Sequence, residues 1–155
     1  MTMPQPGDAA PEFALAGETG EIRLADHIGR KVVVYFYPKD DTPGCTTEGK
    51  DFSALAADFA AADTVVIGIS RDSVAAHKKF RAKHGLTVDL GADADGAVTE
   101  AFGVWVEKSM YGKKYMGIER ATFLIGRDGR IVEAWPKVKV AGHAAAVLAA
   151  ARALG

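Results

Sequence analysis

The chain has 155 residues, a formal net charge of -1 at pH 7 and one cysteine. This length fits one domain that needs no disulfide or structural metal for stability, and we expect residues 1–155 to form it. The balanced charge offers no broad field that would attract nucleic acid or an anionic membrane, so neither is expected as a partner. Residues 1–8 lack the basic and apolar regions of a signal peptide, and no segment approaches the roughly 20 apolar residues that span a bilayer, so we expect a cytoplasmic protein.

The first half of the chain begins with two short apolar runs, Phe13–Leu15 and Ile22–Leu24, around the glycine-containing loop 17–20. They predict an N-terminal β-hairpin. The run Val32–Tyr37 is β-branched and aromatic throughout, which is typical of a central strand covered on both faces. A polar loop with two prolines follows, and apolar residues then recur at helical spacing, so Cys45 is predicted to lie at the start of a helix.

The middle of the chain continues this alternation. Thr64–Ser70 is predicted as a second buried strand, and the helix after it is predicted to end at Gly85. Residues 97–102 predict a short helix. Residues 109–117 carry glycine and serine breaks among lysines and tyrosines, so we expect a mobile loop there.

The last part of the chain predicts a second hairpin. Its strands are Ala121–Ile125 and Ile131–Trp135, and the pair Asp128-Gly129 between them is a strong turn signal. An alanine-rich helix from about Gly142 to Ala153 ends the chain. Strands alternating with helices, followed by a hairpin and a last helix, predict an α/β fold with a mixed central sheet and helices on both faces.

Cys45 is the first candidate for chemistry. A lone cysteine is usually a buried inert side chain. In the first turn of a helix, however, unpaired N–H groups and the positive end of the helix dipole favour a thiolate. Because a helix terminus supplies only about 0.3 to 2 kcal/mol, a nearby cation is also needed, most naturally an arginine. Thr42 offers a hydroxyl and an amide on the same loop, while Pro38 and Pro43 have no N–H and can shape the pocket without competing for the thiolate.

The sequence around Cys45 resembles a known family. The segment Tyr35–Glu48, with Pro38, Thr42 and Cys45 at their places in it, is similar to the active-site segment of peroxiredoxins. Thr46–Gly49 is similar to the peroxiredoxin Q branch, also called bacterioferritin comigratory protein.

The similarity to this branch extends along the chain. Residues 111–125 resemble a later segment of the branch, and residues 138–143 resemble the entry to its C-terminal helix. The resemblance therefore covers nearly the whole chain, and it implies a thioredoxin-like fold.

The resemblance implies a thiol peroxidase for hydrogen peroxide and organic hydroperoxides that needs no cofactor. The Cys45 thiolate would attack the hydroperoxide and become a sulfenic acid. Arg120 would hold the thiolate and the peroxide, Thr42 would orient the peroxide, Pro38 would shield the sulfenic acid, and Glu48 would position the arginine. The alternative for Arg120 is an ordinary surface cation.

One position departs from the pattern of the branch. Many members carry a second, resolving cysteine five residues after the first, and this chain has Lys50 there. An internal disulfide is impossible with one cysteine, so the sulfenic acid must be reduced by an external thiol or by a disulfide between two copies. We expect a one-cysteine cycle in a monomer or weak homodimer, with thioredoxin, glutaredoxin and glutathione, or another small thiol as reductant.

Two other classes of enzyme receive little support. A thiol–disulfide oxidoreductase normally uses Cys-x-x-Cys, which this chain lacks. For a metal enzyme, His77 and His84 are seven residues apart, about 10 Å along a helix, which is too far to share one ion. We interpret both as surface residues, as we do His27 and His143, and expect no metal site.

The alternative from another class is a peroxide sensor, in which oxidised Cys45 signals to a partner without efficient turnover. Turnover with a thiol reductant distinguishes the two. Phe102, Trp105 and Trp135 can line an apolar entrance for organic hydroperoxides, although such aromatic residues more often belong to a core or an interface.

Overall fold

The computed structural model describes residues 2–155. Its nine strands are β1 (Ala14–Gly17), β2 (Gly20–Arg23), β3 (Lys31–Phe36), β4 (Thr64–Ser70), β5 (Asp89–Ala92), β6 (Trp105–Met110), β7 (Lys113–Ile118), β8 (Ala121–Ile125) and β9 (Ile131–Trp135). Its five α-helices are α1 (Pro43–Ala54), α2 (Ala56–Ala61), α3 (Val74–His84), α4 (Ala97–Ala101) and α5 (His143–Ala153).

Seven strands form one mixed sheet in the order β2-β1-β5-β4-β3-β8-β9, and β6 pairs with β7 apart from it. The three central strands β5, β4 and β3 are parallel, and the outer pairs are antiparallel. Every residue of β3 is buried, which explains its continuous apolar sequence. The predicted mixed sheet, its central strand and the N-terminal hairpin are confirmed.

The two faces of the sheet carry separate cores. Along β3, Val32, Val34 and Phe36 belong to one core, while Val33 and Tyr35 belong to the other, as expected from the period of two in a strand. The first core is completed by α4 and the β6–β7 hairpin. The second is completed by α1, α2, α3 and α5, and it contains Cys45. The helices thus cover both faces, as predicted.

The prediction of a mobile loop at 109–117 is wrong. These residues belong to the β6–β7 hairpin, whose turn is Tyr111-Gly112. Both turn residues have positive φ, 53° and 77°, as a two-residue turn that matches the twist of the strands requires. Most side chains near the turn are exposed, so the sequence lacks the apolar alternation that reveals a strand.

Other differences are smaller. The helical pattern after Cys45 is divided at Leu55 into α1 and α2. The four-residue strand β5 is too short, and too rich in glycine, to be predicted from its sequence. The predicted end of α3 at Gly85 is confirmed by its left-handed conformation. Within residues 2–155, no helix combines the length and the apolar character needed to cross a membrane.

Candidate active site

Cys45 is the third residue of α1, as predicted. Thr42 is the N-cap with extended backbone, and Pro43 occupies the first helical position, where its missing N–H costs nothing. The first backbone hydrogen bond of the helix runs from Thr46 N–H to the Thr42 carbonyl, at 2.8 Å. The amides of Gly44 and Cys45 precede that bond and belong to the turn that makes a helix N-terminus favourable for anions. Cys45 itself is 2% exposed.

Arg120 lies between β7 and β8 and bridges two side chains of α1. Its Nη2 donates to Cys45 Sγ at 3.4 Å, and its Nη1 donates to Glu48 Oε1 at 2.6 Å. The arginine side chain is 17% exposed, so its interpretation as an ordinary surface cation is wrong. A Cβ on Gly44 would lie 3.1 Å from Arg120 Nη2, so the absence of a side chain there permits this close approach. The backbone of Arg120 is held by Val138, whose N–H donates to the Arg120 carbonyl at 3.0 Å.

Arg120 and Glu48 each affect the pKa of the other. Burial opposes the charge of Arg120, but the Glu48 carboxylate and the Cys45 sulfur together raise the pKa of the arginine above its ordinary value. Burial raises the pKa of Glu48 from 4.5 to about 7, although Arg120 acts in the opposite direction. Glu48 Oε2 is buried without a hydrogen-bond partner, which shows how little solvation this carboxyl keeps.

Thr42 and Pro38 lie on the segment that leads from β3 into α1. The Thr42 hydroxyl donates to the carbonyl of Lys39 at 2.7 Å, so its oxygen keeps lone pairs that can accept a further hydrogen bond. Pro38 is exposed and lies two residues after the end of β3. Cys45, Arg120 and Glu48 are thus in direct contact as a chain of side chains, with Thr42 at the start of the same helix.

The interpretation of His143 as a surface residue is wrong. It begins α5, is buried, and its Nε2 lies 2.8 Å from Thr122 Oγ1. Its ring also packs edge-on against Phe52 and Trp135. Burial, with a smaller contribution from Arg120, lowers the pKa of His143 from 6.5 to about 4. The imidazole is therefore neutral at pH 7.

A pH-dependent stability follows from this shift. Because the folded His143 resists protonation, the unfolded chain binds more protons between pH 6.5 and 4, and stability present above pH 6.5 is lost as the pH falls through about 4. The loss on going from pH 7 to 4.5 is expected to be about 2 to 3 kcal/mol. Urea unfolding of the wild type and of His143→Gln at both pH values measures it, because the glutamine keeps a polar partner for Thr122 but does not titrate.

The effect of His143 must be measured as the difference in the free energy of unfolding between the wild type and His143→Gln. The raised pKa of Glu48 has the opposite effect. The contribution of Glu48 to the stability of the fold is greatest below pH 4.5 and is lost as the pH rises through about 7. The wild type alone is therefore expected to change little over this range. A stability difference between wild type and His143→Gln that is the same at pH 7 and pH 4.5 would contradict the assignment.

His77 is also buried, so its interpretation as a surface residue is wrong as well. Its three-residue spacing from Phe80 places both on the inner face of α3, and this was the signal in the sequence. His77, Asp40 and Asp72 bring ligand atoms within 4.8 Å of one another. Each of the three side chains already takes part in hydrogen bonds within the protein, so the cluster is a hydrogen-bonded network. His84, only partly buried, bonds to Asp41, and His27 is partly exposed.

The three aromatic residues considered for an entrance have different places. Phe102 is 0% exposed in the core that lies on the other face of the sheet from Cys45, so it lines no entrance. Trp105 packs beneath the Arg71 guanidinium, 3.4 Å from the ring centroid. Trp135 is half-buried and packs against the core that contains Cys45, beside His143.

Comparison with known proteins gives consistent results. The model of the AhpC/TSA family matches residues 6–134. Peroxiredoxin Bcp of Xanthomonas campestris is 54% identical over 141 residues, covering 91% of this chain and 88% of that protein. Peroxiredoxin Bcp of Bacillus subtilis is 50% identical over 143 residues, covering 92% and 91%.

Solved structures give the same result. Peroxiredoxin Q of Xanthomonas campestris superposes with a TM-score of 0.88 at 50% identity, over 97% of this chain and 96% of that one. The bacterioferritin comigratory protein of the same organism, solved in work on its alkyl peroxide reduction activity, has a TM-score of 0.90 at 48% identity, over 99% and 96%. The similarity covers both cores and the segment that carries Cys45.

Proposed function

Because the chain belongs to the AhpC/TSA family and to its peroxiredoxin Q branch, it is a thiol-dependent peroxiredoxin, and we propose that Cys45 is the residue that attacks the peroxide. The observation that carries the proposal is the 3.4 Å contact between Cys45 Sγ and Arg120 Nη2 at the N-terminus of α1. A guanidinium and a helix terminus both favour the thiolate, which is the nucleophilic form of a cysteine. The sequence contains no other cysteine to take this role.

The proposed reaction is a nucleophilic displacement at oxygen. The Cys45 thiolate attacks the terminal oxygen of a hydroperoxide, an S–O bond forms as the O–O bond breaks, and the products are the sulfenic acid and an alkoxide or hydroxide that takes up a proton. Negative charge moves from sulfur to the leaving oxygen, so donors fixed near both atoms stabilise the transition state. The Arg120 guanidinium and the amides of Gly44 and Cys45 are the proposed donors.

Thr42 and Pro38 have proposed roles on the substrate side. Because the Thr42 hydroxyl donates to the Lys39 carbonyl, its oxygen is directed to accept a hydrogen bond from the O–H of the hydroperoxide. Pro38 has no N–H and covers the approach without offering a competing donor. Glu48 holds the second nitrogen of Arg120 and fixes the direction of the guanidinium toward Cys45.

The reduction step is proposed to follow a one-cysteine cycle. A first external thiol condenses with the sulfenic acid to give a mixed disulfide and water, and a second thiol releases Cys45 by exchange. Cys45 is buried, so a protein thiol can reach it only after the first turn of α1 opens. Faster hydrogen exchange at residues 46–50 in the oxidised form than in the thiol form is the expected sign of this opening.

The proposed substrates include organic hydroperoxides as well as hydrogen peroxide. The support comes from the alkyl peroxide reduction activity described for the Xanthomonas campestris relative. Hydrogen peroxide and cumene hydroperoxide, each assayed over the same concentration range, compare the two kinds of substrate directly.

The test follows peroxide loss with excess dithiothreitol, with thioredoxin and its reductase, and with glutathione and glutaredoxin. Many moles of peroxide consumed per mole of chain are expected with at least one reductant, together with a dimedone adduct of the oxidised protein in intact mass. A single oxidation per chain with every reductant would instead identify a peroxide sensor. If a disulfide-linked dimer is the main oxidised product, the thiol of a second copy of the chain carries out the first reduction step in place of an external thiol.

A further inference from the structure

The loop that leads from β3 to Cys45 is fastened to α3 and to the residues before it. Two consecutive aspartates make these contacts, Asp40 in a buried position and Asp41 in an exposed one. They directly precede Thr42, the N-cap of α1. The position of the loop therefore determines where the first turn of α1 begins.

Asp40 makes three hydrogen bonds. Its Oδ1 accepts from the Tyr37 hydroxyl at 2.6 Å, its Oδ2 lies 2.6 Å from His77 Nδ1, and its backbone N–H donates to Asp72 Oδ2 at 2.9 Å. The side chains of Asp40 and His77 are 6% and 3% exposed. Asp72 also accepts from Ser70 Oγ, at 2.7 Å, which ties the network to the end of β4.

The ring of His77 has an acceptor at each nitrogen. Its Nε2 lies 3.0 Å from the carbonyl oxygen of Gly91, which can only accept, so this nitrogen carries a proton. Its Nδ1 faces the Asp40 oxygen that Tyr37 does not use. The Tyr37 hydroxyl also lies 3.4 Å from Nδ1, so the phenol, the carboxyl group and the imidazole form one buried hydrogen-bonded cluster.

We propose that His77 is a positioning residue for the peroxidatic reaction, holding Asp40 through a buried hydrogen bond and thereby placing the first turn of α1 against Arg120. The inference rests on the proposed function of Cys45. It concerns residues that touch neither the peroxide nor the sulfur.

The position of Cys45 explains why this fastening matters. The helix is held at two points, at its start by the Asp40 network and one turn later by the bond between Glu48 and Arg120. Cys45 lies between them. A loop released at Asp40 lets the first turn shift relative to Arg120, and a displacement of about 1 Å in a reacting group costs on the order of 100-fold in rate.

The exposed contacts of Asp41 provide the matched comparison. Asp41 has a φ of 60° and bonds to two residues at the end of α3, Lys83 Nζ at 2.8 Å and His84 Nε2 at 2.7 Å. Exposed ion pairs contribute little, and removal of one leaves the other in place. His77→Gln and His84→Gln are thus the same substitution on the same helix. The first changes the buried contact with Asp40, and the second changes the exposed contact with Asp41.

The experiment measures two second-order rate constants of Cys45 in the wild type and in both variants, with hydrogen peroxide and with iodoacetamide. Alkylation needs a reactive, accessible thiolate but not the alignment with Arg120. His77→Gln is expected to react with peroxide about 10- to 100-fold more slowly, with alkylation within about threefold of the wild type. His84→Gln is expected to keep both rate constants within about twofold of the wild type.

Three results overturn the inference. They are a folded His77→Gln variant with the wild-type rate toward peroxide, an equal loss in both reactions, and an equal effect of His84→Gln. If His77→Gln does not fold, the ring 15N signals of His77 in the wild type decide, because a hydrogen-bonded Nδ1 supports the inference and an Nδ1 without a hydrogen bond overturns it. A wild type that consumes no peroxide removes the proposed function, whereas an active wild type with an unaffected His77→Gln removes only the role of His77.

Discussion

Cys45→Ser is expected to reduce peroxide consumption to the background rate of the reductant alone, a loss of more than about a thousandfold. A serine hydroxyl stays neutral at pH 7, so the contact with Arg120 no longer yields a nucleophile. The substitution replaces one small side chain by another, so the fold is expected to remain intact. Peroxide loss with excess dithiothreitol, circular dichroism and intact mass after dimedone treatment check these three expectations.

A relocated thiol provides the control for Cys45→Ser. Ala54 is exposed at the end of α1, nine residues beyond Cys45 and about 13 Å further along the helix axis. The double variant Cys45→Ser/Ala54→Cys has the same number of thiols as the wild type, but its thiol is far from Arg120. It is expected to be as inactive as Cys45→Ser. Recovery of the wild-type rate in the double variant would show that the site around Cys45 is unnecessary.

The place of Cys45 could be predicted because its causes are local. An apolar strand, a loop with prolines and a helical pattern follow one another within a short stretch of sequence, and they are sufficient to put the cysteine in a first helical turn. Arg120 is 75 residues away from Cys45. No periodicity connects them, and only the resemblance to peroxiredoxins indicated their contact.

The hydrogen-bond partners of His77 and His143, by contrast, could not be predicted from the sequence. No ligand partner lies near His77 or His143 in the sequence, which favours their interpretation as surface residues. Their partners are Asp40, in the loop after β3 and 37 residues earlier, and Thr122, 21 residues earlier on β8. A buried polar side chain is stable only when the fold supplies its hydrogen bonds, and pairings across the fold are not visible in a single sequence.

The β6–β7 hairpin was missed for a different reason. Its strands are defined by backbone pairing and a two-residue turn, while most of its side chains face solvent. Hydrophobic patterning detects strands that bury one face, so an exposed ribbon resembles a loop. The buried strands β3, β4 and β8, by contrast, are predicted closely because burial selects their composition.

The second large effect is expected at Arg120. Arg120→Lys keeps one positive charge but cannot bond to Cys45 and Glu48 at once, because a lysine ammonium lacks the planar fork of a guanidinium. The rate constant for Cys45 oxidation by peroxide is expected to fall about 100- to 1000-fold, the usual cost of removing one fixed donor from a developing oxyanion. Glu48→Gln keeps an acceptor for Nη1, so a smaller loss of about tenfold is expected.

Stability measurements separate the two residues of this pair. Arg120→Met leaves the Glu48 carboxyl buried without its cation, which is expected to destabilise the fold by about 3 to 5 kcal/mol at pH 8, and by less at pH 6, where the carboxyl takes up a proton. Arg120→Met/Glu48→Gln is expected to regain part of that loss without regaining activity. Urea unfolding at the two pH values measures this directly.

Arg152→Lys is the control for the arginine chemistry. Arg152 is exposed on α5 and bonds to Asp58, so the same substitution there is expected to leave both rate and stability within error of the wild type. If Arg120→Lys also kept its rate within about twofold of the wild type, a positive charge alone would be sufficient and the fork of Arg120 would have no part in the reaction. If the double variant of Arg120 and Glu48 recovered activity along with stability, the arginine would serve only to neutralise the buried carboxyl.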